Sequence, residues 1–213
     1  QAMQGRIAGV TIQSTNGEPG GSYKMRIRGA TSINASSDPL IVVDGLVGGV
    51  MPLPEDIASV EVLKDASASA IYGSRGANGV VIVTTKSGKE GKIAVTLNSY
   101  YSFQKEIGRL EVLNAREFAE YINEARGTDF FDLDNIAVDT DWQDLIFQPG
   151  HSQNYQVSVS GGSPRASYYV SGVYYDQKGI IKTSSFDRYS LTTNLKFDLS
   201  NHIRLNLNST LRS

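Results

Sequence analysis

Cysteine is absent from this chain of 213 residues, which excludes disulfides, thiolate metal sites and cysteine nucleophiles together. Histidine is scarce: His151 and His202 are the two imidazoles, one expected in a loop and one in a turn. Neither supports a Ser-His-Asp arrangement or an HExxH metal motif, so the expectation is no enzyme and no cofactor. Excess positive charge is missing too. Lys plus Arg number 20 against 22 Asp plus Glu, and a net charge of −2 offers no field to hold nucleic acid. No apolar run nears the ~20 residues of a membrane helix, and no signal peptide opens the chain. The sequence opens inside a motif at Gln1 and stops inside an alternating strand at Ser213, as a piece of a longer chain would.

What is present falls into two textures. Residues 1–88 read as a compact mixed unit of short strands and one or two short helices. Tyr23, Met25 and Ile27 alternate with Lys24, Arg26 and Arg28, the pattern of a half-buried strand. Leu40 to Val43 is continuously apolar and is expected to be covered on both faces. The densest stretch is VEVLKDASASAIYGSRGANGVVIVTTKSGK, from Val60 to Lys89. Asp65 sits where a helix N-cap belongs, Ala66 to Ala70 give a helix with almost no side chains, and Gly73 is placed to end it in the left-handed conformation. Gly76 and Gly79 then bracket a sharp turn into the apolar run Val80 to Val83.

Beyond Lys92 the pattern becomes long two-residue alternation. Ile93, Val95 and Leu97 oppose Ala94, Thr96 and Asn98, and Tyr155, Val157 and Val159 oppose Gln156, Ser158 and Ser160. Tyr189, Leu191, Leu195 and Phe197 oppose Ser190, Thr192, Asn194 and Lys196, and Ile203, Leu205, Leu207 and Leu211 oppose Arg204, Asn206, Asn208 and Thr210. With a less pure strand from Ala166 to Tyr175, about five strands are expected, most of ~9–11 residues, the length that crosses an outer membrane when tilted. Short connections at 161–165 and 198–202 contrast with longer ones at 177–185 and 104–153. Membrane barrels keep short turns at the periplasmic rim and long loops outside. That rule directs the first of these strands outward and brings Tyr101, Phe103, Tyr155, Tyr174 and Tyr189 to the outer rim. A soluble β-sandwich alternates identically, so pattern alone leaves a soluble β-rich surface binding or adhesion module as the alternative. Inward-facing Asn194 is expected to tolerate a charge that Leu195 does not.

Together with QGRIAGV from Gln4, IRGATSIN from Ile27 and PLIVVDG from Pro39, the Val60–Lys89 motif closely resembles the plug domain of SusC/RagA-type TonB-dependent outer-membrane transporters. The fold this implies is an α+β plug domain, residues 1–88, followed by antiparallel transmembrane β-barrel strands, residues 89–213, forming an incomplete barrel. The function it implies is energised import of glycans or peptides across the outer membrane, with plug movement opening the lumen. The partners it implies are a TonB-type protein acting on an upstream segment, a SusD-like surface lipoprotein, an oligosaccharide or peptide substrate and outer-membrane lipid. Embedded in the matching motifs, Arg28, Gly29, Asp44, Gly45, Lys64, Asp65, Tyr72, Gly73, Arg75 and Gly76 are candidates for plug signature or gating roles. For their charges, structural turn and ion-pair roles stand beside gating.

Three further features have simpler readings. The turn GSRGANG from Gly73 feeds a strand, where a phosphate cradle feeds a helix, so it is read as tight packing. Asp132, Asp134, Asp139 and Asp141 lie in a stretch without Lys or Arg and offer oxygen ligands for calcium. Their spacing lacks the central Gly and terminal Glu of an EF-hand, and a solvated acidic loop is the simpler reading. The segment NAREFAEYINEARG from Asn114 is a capped helix, with Asn114 and Glu117 as a capping box, Gly127 as its stop and Phe118, Tyr121, Ile122 and Ala125 as its apolar face.

Overall fold

The computed structural model describes residues 11–14, 16–21, 23–27, 38–64 and 70–213. Arg28, Gly29 and Asp65, with most of the small-residue helix expected after Asp65, lie outside the described residues.

The first six strands are short. β1 (Thr11–Ser14) pairs antiparallel with β2 (Tyr23–Arg26). β3 (Leu40–Val43), β4 (Leu46–Val47), β5 (Ile57–Leu63) and β6 (Val80–Thr85) form a separate mixed sheet in the order β4-β3-β6-β5. Asp44 and Gly45 turn β3 into β4 with φ of 48° and 85°, the Asp-Gly geometry of a two-residue hairpin. β6 runs parallel to β3 and antiparallel to β5, and its central position explains its composition. Val81 and Val83 pack with Ile27 on one face, and Val80 packs with Val42 on the other. Continuous burial on both faces therefore belongs to β6; in β3, Val42 alone is fully buried. Residues 70–72 are helical, and Gly73 follows at φ 62°, as its placement predicts.

Five long strands follow: β7 (Gly91–Gln104), β8 (Gly150–Ser163), β9 (Ala166–Lys178), β10 (Ser185–Ser200) and β11 (Ile203–Arg212). They form one antiparallel sheet in sequence order, and it does not close on itself. The first four span 13 to 16 residues, longer than expected, because backbone pairing continues past the apolar alternation into polar ends such as Asp176 to Lys178. The side chains divide by parity, as a pleated strand requires. Leu191, Leu195, Leu205 and Leu207 share one face with Tyr155, Tyr174 and Tyr189, and the opposite face carries Gln156, Ser171, Thr192 and Asn194. Leu191, Leu205 and Leu207 are exposed. A sandwich would bury them under a second sheet, and none covers them among the described residues.

Across neighbouring strands, Tyr155 stacks on Tyr174 at 6.5 Å and Tyr174 meets Tyr189 at 4.9 Å. This row lies toward the long connections, where an aromatic girdle belongs. The loop between β7 and β8 contains the helix Ala115–Arg126, whose Asn114–Glu117 capping box and left-handed Gly127 match the sequence reading. Its apolar face is only partly covered: Phe118 touches Phe131 at 6.2 Å, Phe118 and Tyr121 stay about half exposed, and the buried residue is Ala119. The other elements of the same loop reach only that far.

Candidate functional site

The chemistry of this chain is concentrated where the mixed sheet meets the polar face of the long sheet. Leu53 and Pro54 set up a single 3-10 turn, Pro54–Asp56, with proline at its first position and the Asp56 N–H donating to the Leu53 carbonyl at 2.9 Å. Proline suits that position because it has no N–H to leave unpaired. The turn aims two consecutive carboxylates at the wall. Asp56 is 1% exposed. Its Oδ1 accepts from the Tyr169 hydroxyl at 3.0 Å and from Gln156 Nε2 at 3.2 Å, and its Oδ2 accepts from Thr192 Oγ1 at 2.9 Å.

These three donors come from β8, β9 and β10, so one carboxylate ties the turn to three adjacent strands. Gln156 extends the network by donating to Ser171 Oγ at 3.0 Å and accepting from Asn98 Nδ2 at 3.0 Å. A buried carboxylate is tolerated only when its oxygens are well supplied with donors, and here neutral donors supply them. Glu55 Oε1 accepts from Asn154 Nδ2 at 2.9 Å.

Further contacts continue the seam. Asn194 Nδ2 donates to Thr85 Oγ1 at 3.0 Å and to the Lys86 carbonyl at 2.7 Å. Asp44 accepts from the Thr85 N–H and hydroxyl at 2.9 and 2.6 Å, and from Asn208 Nδ2 at 3.2 Å. Arg212 donates to the Met51 carbonyl at 2.9 Å. At the exit toward β7, Gly88 lies flat on the wall. A Cβ there would sit 2.3 Å from the Tyr168 carbonyl oxygen, so only glycine fits without displacement.

Of the sequence candidates, Asp44 lies on this seam and Gly45 beside it. Tyr72 packs into the Val42–Val80 cluster. Lys64 is half-buried, Gly73 and Arg75 are exposed, and Gly76 is buried. These last five are not brought to the wall contacts described above. Asn194 is 5% exposed and bonded to the mixed unit, which overturns the expectation that it tolerates a charge. The acidic loop residues do other work. Asp132 and Asp141 cap short helical turns, and Asp139 accepts from the Ala115 N–H at 2.9 Å. No group of three or more potential metal ligands gathers among the described residues.

A family profile described as the TonB-dependent receptor plug domain matches residues 1–80. TonB-dependent receptor P3 of Formosa agariphila is 51% identical over 209 residues, 98% of this chain and 20% of that protein. TonB-dependent receptor SusC of Bacteroides thetaiotaomicron is 44% identical over 220 residues, 97% of this chain and 22% of that protein. This chain belongs to the SusC/RagA type of TonB-dependent receptors. The structure of the RagAB peptide importer in its closed-closed state matches with a TM-score of 0.86 at 28% identity, over 99% of this chain and 28% of that one. The chain thus spans about a fifth of the length of the curated relatives it matches. An α+β plug followed by antiparallel strands of an unclosed barrel is the fold, and the seam is a plug–wall interface. The adhesion-module alternative falls with the sandwich.

Proposed function

We propose that the whole protein imports glycans or peptides across the outer membrane, with residues 1–88 as a plug that gates the lumen and residues 89–213 as the start of the barrel. A TonB-type protein supplies the pull from the periplasmic side, and a SusD-like lipoprotein covers the outer side. The observation that carries this reading is the chemistry of the seam. The plug keeps its valine clusters inside its own sheet and meets the wall through Asp44, Glu55, Asp56, Thr85 and the backbone of Lys86 and Met51. Each such bond nets only about 0.5–1.5 kcal/mol between neutral groups and about 1.5–3 kcal/mol where a charged group takes part, because water replaces it on release. A dry apolar seam of the same area would lose about 25 cal/mol for each Å² exposed. A seam of hydrogen bonds holds the plug at rest and lets go stepwise under force.

In this reading Asp44 and Gly45 shape the hairpin that touches β11, and Tyr72, Gly73 and Gly76 set the turn into the central strand. Arg28, Gly29, Lys64, Asp65 and Arg75 are gating candidates to be tested by substitution. The direct test is uptake of labelled glycan or peptide by cells expressing the full-length protein, before and after the proton gradient is dissipated. Uptake should stop while surface binding persists. Uptake that continues unchanged without the gradient would refute energised import.

A further inference from the structure

Three buried side-chain atoms lack a hydrogen-bond partner among the described residues: Glu55 Oε2 on the plug, and Arg188 Nε and Ser190 Oγ on the wall. All three belong to one level of the seam. Glu55 is held through its other oxygen by Asn154 of β8. Asn154, Tyr175 and Arg188 are register partners across β8, β9 and β10, so they form one row on strands about 4.8 Å apart. Ser190 lies on the same face two residues further along β10, level with Val173 and Gln156. Gln156 in turn holds Asp56, the residue after Glu55. Ser190 is 7% exposed. Glu55 and Arg188 both stand close enough to the Tyr100 hydroxyl, at the β7 end of the row, to act on it electrostatically. The strands that carry the site, β8, β9 and β10, have neighbours on both sides, so it lies inside the sheet and away from its open edges. Two rings hold the Arg188 side chain. Its guanidinium carbon is 5.3 Å from the centre of Tyr175 and 5.9 Å from that of Phe186, within cation–π range, and Phe186 stands two residues toward the β9–β10 connection.

We infer that a resident water sits between Glu55 Oε2, Arg188 Nε and Ser190 Oγ and joins the plug to the wall as a water-bridged ion pair. Each of these atoms gives up its hydration on burial and gets nothing back if left unmet, and one shared partner removes all three costs. The chemistry of the groups selects that partner. A water oxygen accepts from the Arg188 Nε–H and the Ser190 hydroxyl, and one of its hydrogens goes to the carboxylate. Three bonds are the usual number for a buried water. A cation would be repelled by the guanidinium and an anion by the carboxylate. The atoms are sealed from bulk solvent, which suits a single water and not a larger solute. Elsewhere on the seam the plug carboxylates Asp44 and Asp56 are held by neutral donors. Here opposite charges face each other, and the water between them exchanges for bulk water once the plug shifts, so the joint opens without stranding a bare charge. Glu55 and Arg188 are thereby positioning residues of the gate, although neither stood among the sequence candidates. The inference concerns the seam and holds or fails whatever the protein imports.

The test is a structure of the full-length transporter fine enough to show ordered water, together with a double-mutant cycle. One water should lie within hydrogen-bond distance of all three atoms. For the cycle, thiol labelling of a cysteine at Ser158, a wall residue 8% exposed, reports detachment of the plug in outer-membrane vesicles holding the full-length protein. Arg188→Met keeps the length of the side chain but neither its charge nor its donors. It should accelerate labelling about 10-fold, the worth of one hydrogen bond to a charged group. In a Glu55→Gln background the same change should accelerate it about 2-fold or less, because residues that share a network do not act additively. Ser190→Ala, which removes one of the water's partners, should accelerate it about 3-fold. Direct contact between Glu55 and Arg188 in that structure, a side chain or no density in place of the water, or an equal effect of Arg188→Met in both backgrounds would overturn the inference. Labelling is read at rest and without substrate, so such a failure leaves the import reading to its own test, the dependence of uptake on the proton gradient.

Discussion

Removing the Asp56 carboxylate should loosen the plug more than any other single truncation on the seam. Asp56, Gln156, Thr192 and Tyr169 are 1%, 1%, 3% and 4% exposed, so Asp56→Ala strands the Tyr169 and Thr192 hydroxyls without their acceptor. Gln156 keeps its bond to Ser171. Each buried donor left unpaired costs about 1–3 kcal/mol, and the lost desolvation penalty of the carboxylate returns part of it. The net is ~2–4 kcal/mol, which raises the population of the detached plug by roughly 30- to 700-fold at about 1.4 kcal/mol per decade. Asp56→Asn keeps the shape and one oxygen, and the Thr192 hydroxyl can rotate to accept from the new amide, so the cost falls to about 1 kcal/mol. The assay is thiol labelling of a cysteine at Ser158, a wall residue 8% exposed, in outer-membrane vesicles holding the full-length protein. Labelling should accelerate strongly in Asp56→Ala and mildly in Asp56→Asn. Equal rates in parent and Asp56→Ala, or equal acceleration in both variants, would refute the reasoning.

Other consequences are simpler to check. Gly88→Ala forces a Cβ against the wall backbone and should lower thermal stability, whereas Gly172→Ala, with nothing within 4 Å of the added carbon, should not. Leu195→Lys should cost ~2–4 kcal/mol in a bilayer refolding titration if it lies near the midplane, and Asn206→Lys on the opposite face should be nearly silent. Gly73→Ala should cost about 1 kcal/mol in chemical denaturation, because alanine must adopt the left-handed φ of 62°. In the β7–β8 loop, a backbone N–H bond at Glu106 itself, and then Arg109, hold the Glu106 carboxyl below its usual range. A depressed carboxyl stabilises above its unfolded value and loses that contribution as pH falls through the folded one. Hydrogen exchange in residues 105–149 should therefore quicken on acidification through the carboxylate range, and Arg109→Ala should weaken the effect without removing it.

Much of this fold was legible because its signals are local. The helix after Asn114 carries both caps in sequence, Gly73 marks its own backbone, and the alternation of β10 and β11 assigned an apolar and a polar face before any neighbour was known. Connection lengths placed Tyr155, Tyr174 and Tyr189 together at the end of the sheet that carries the longer connections. The seam was not legible. Asp56 stands one residue before a strand, where an acid ordinarily belongs to a solvated turn, and its donor Thr192 lies 136 positions away. Asn194 misled for the same reason: its place on the polar face was read correctly, but the element that covers it arrives from residues 85 and 86. Burial of a polar residue by a distant element leaves no periodic trace.

The central claim is that the plug must leave the wall for substrate to pass. Thr85 and Asn194 meet across the seam at 3.0 Å, so cysteines at both positions can be joined by a short bifunctional thiol cross-linker with a cleavable disulfide core. Uptake by cells carrying the full-length protein is then measured before cross-linking, after it, and after reduction. The account predicts that cross-linked transporter binds substrate at the surface, imports none, and regains uptake when the linker is cleaved. Undiminished uptake by fully cross-linked protein would contradict it.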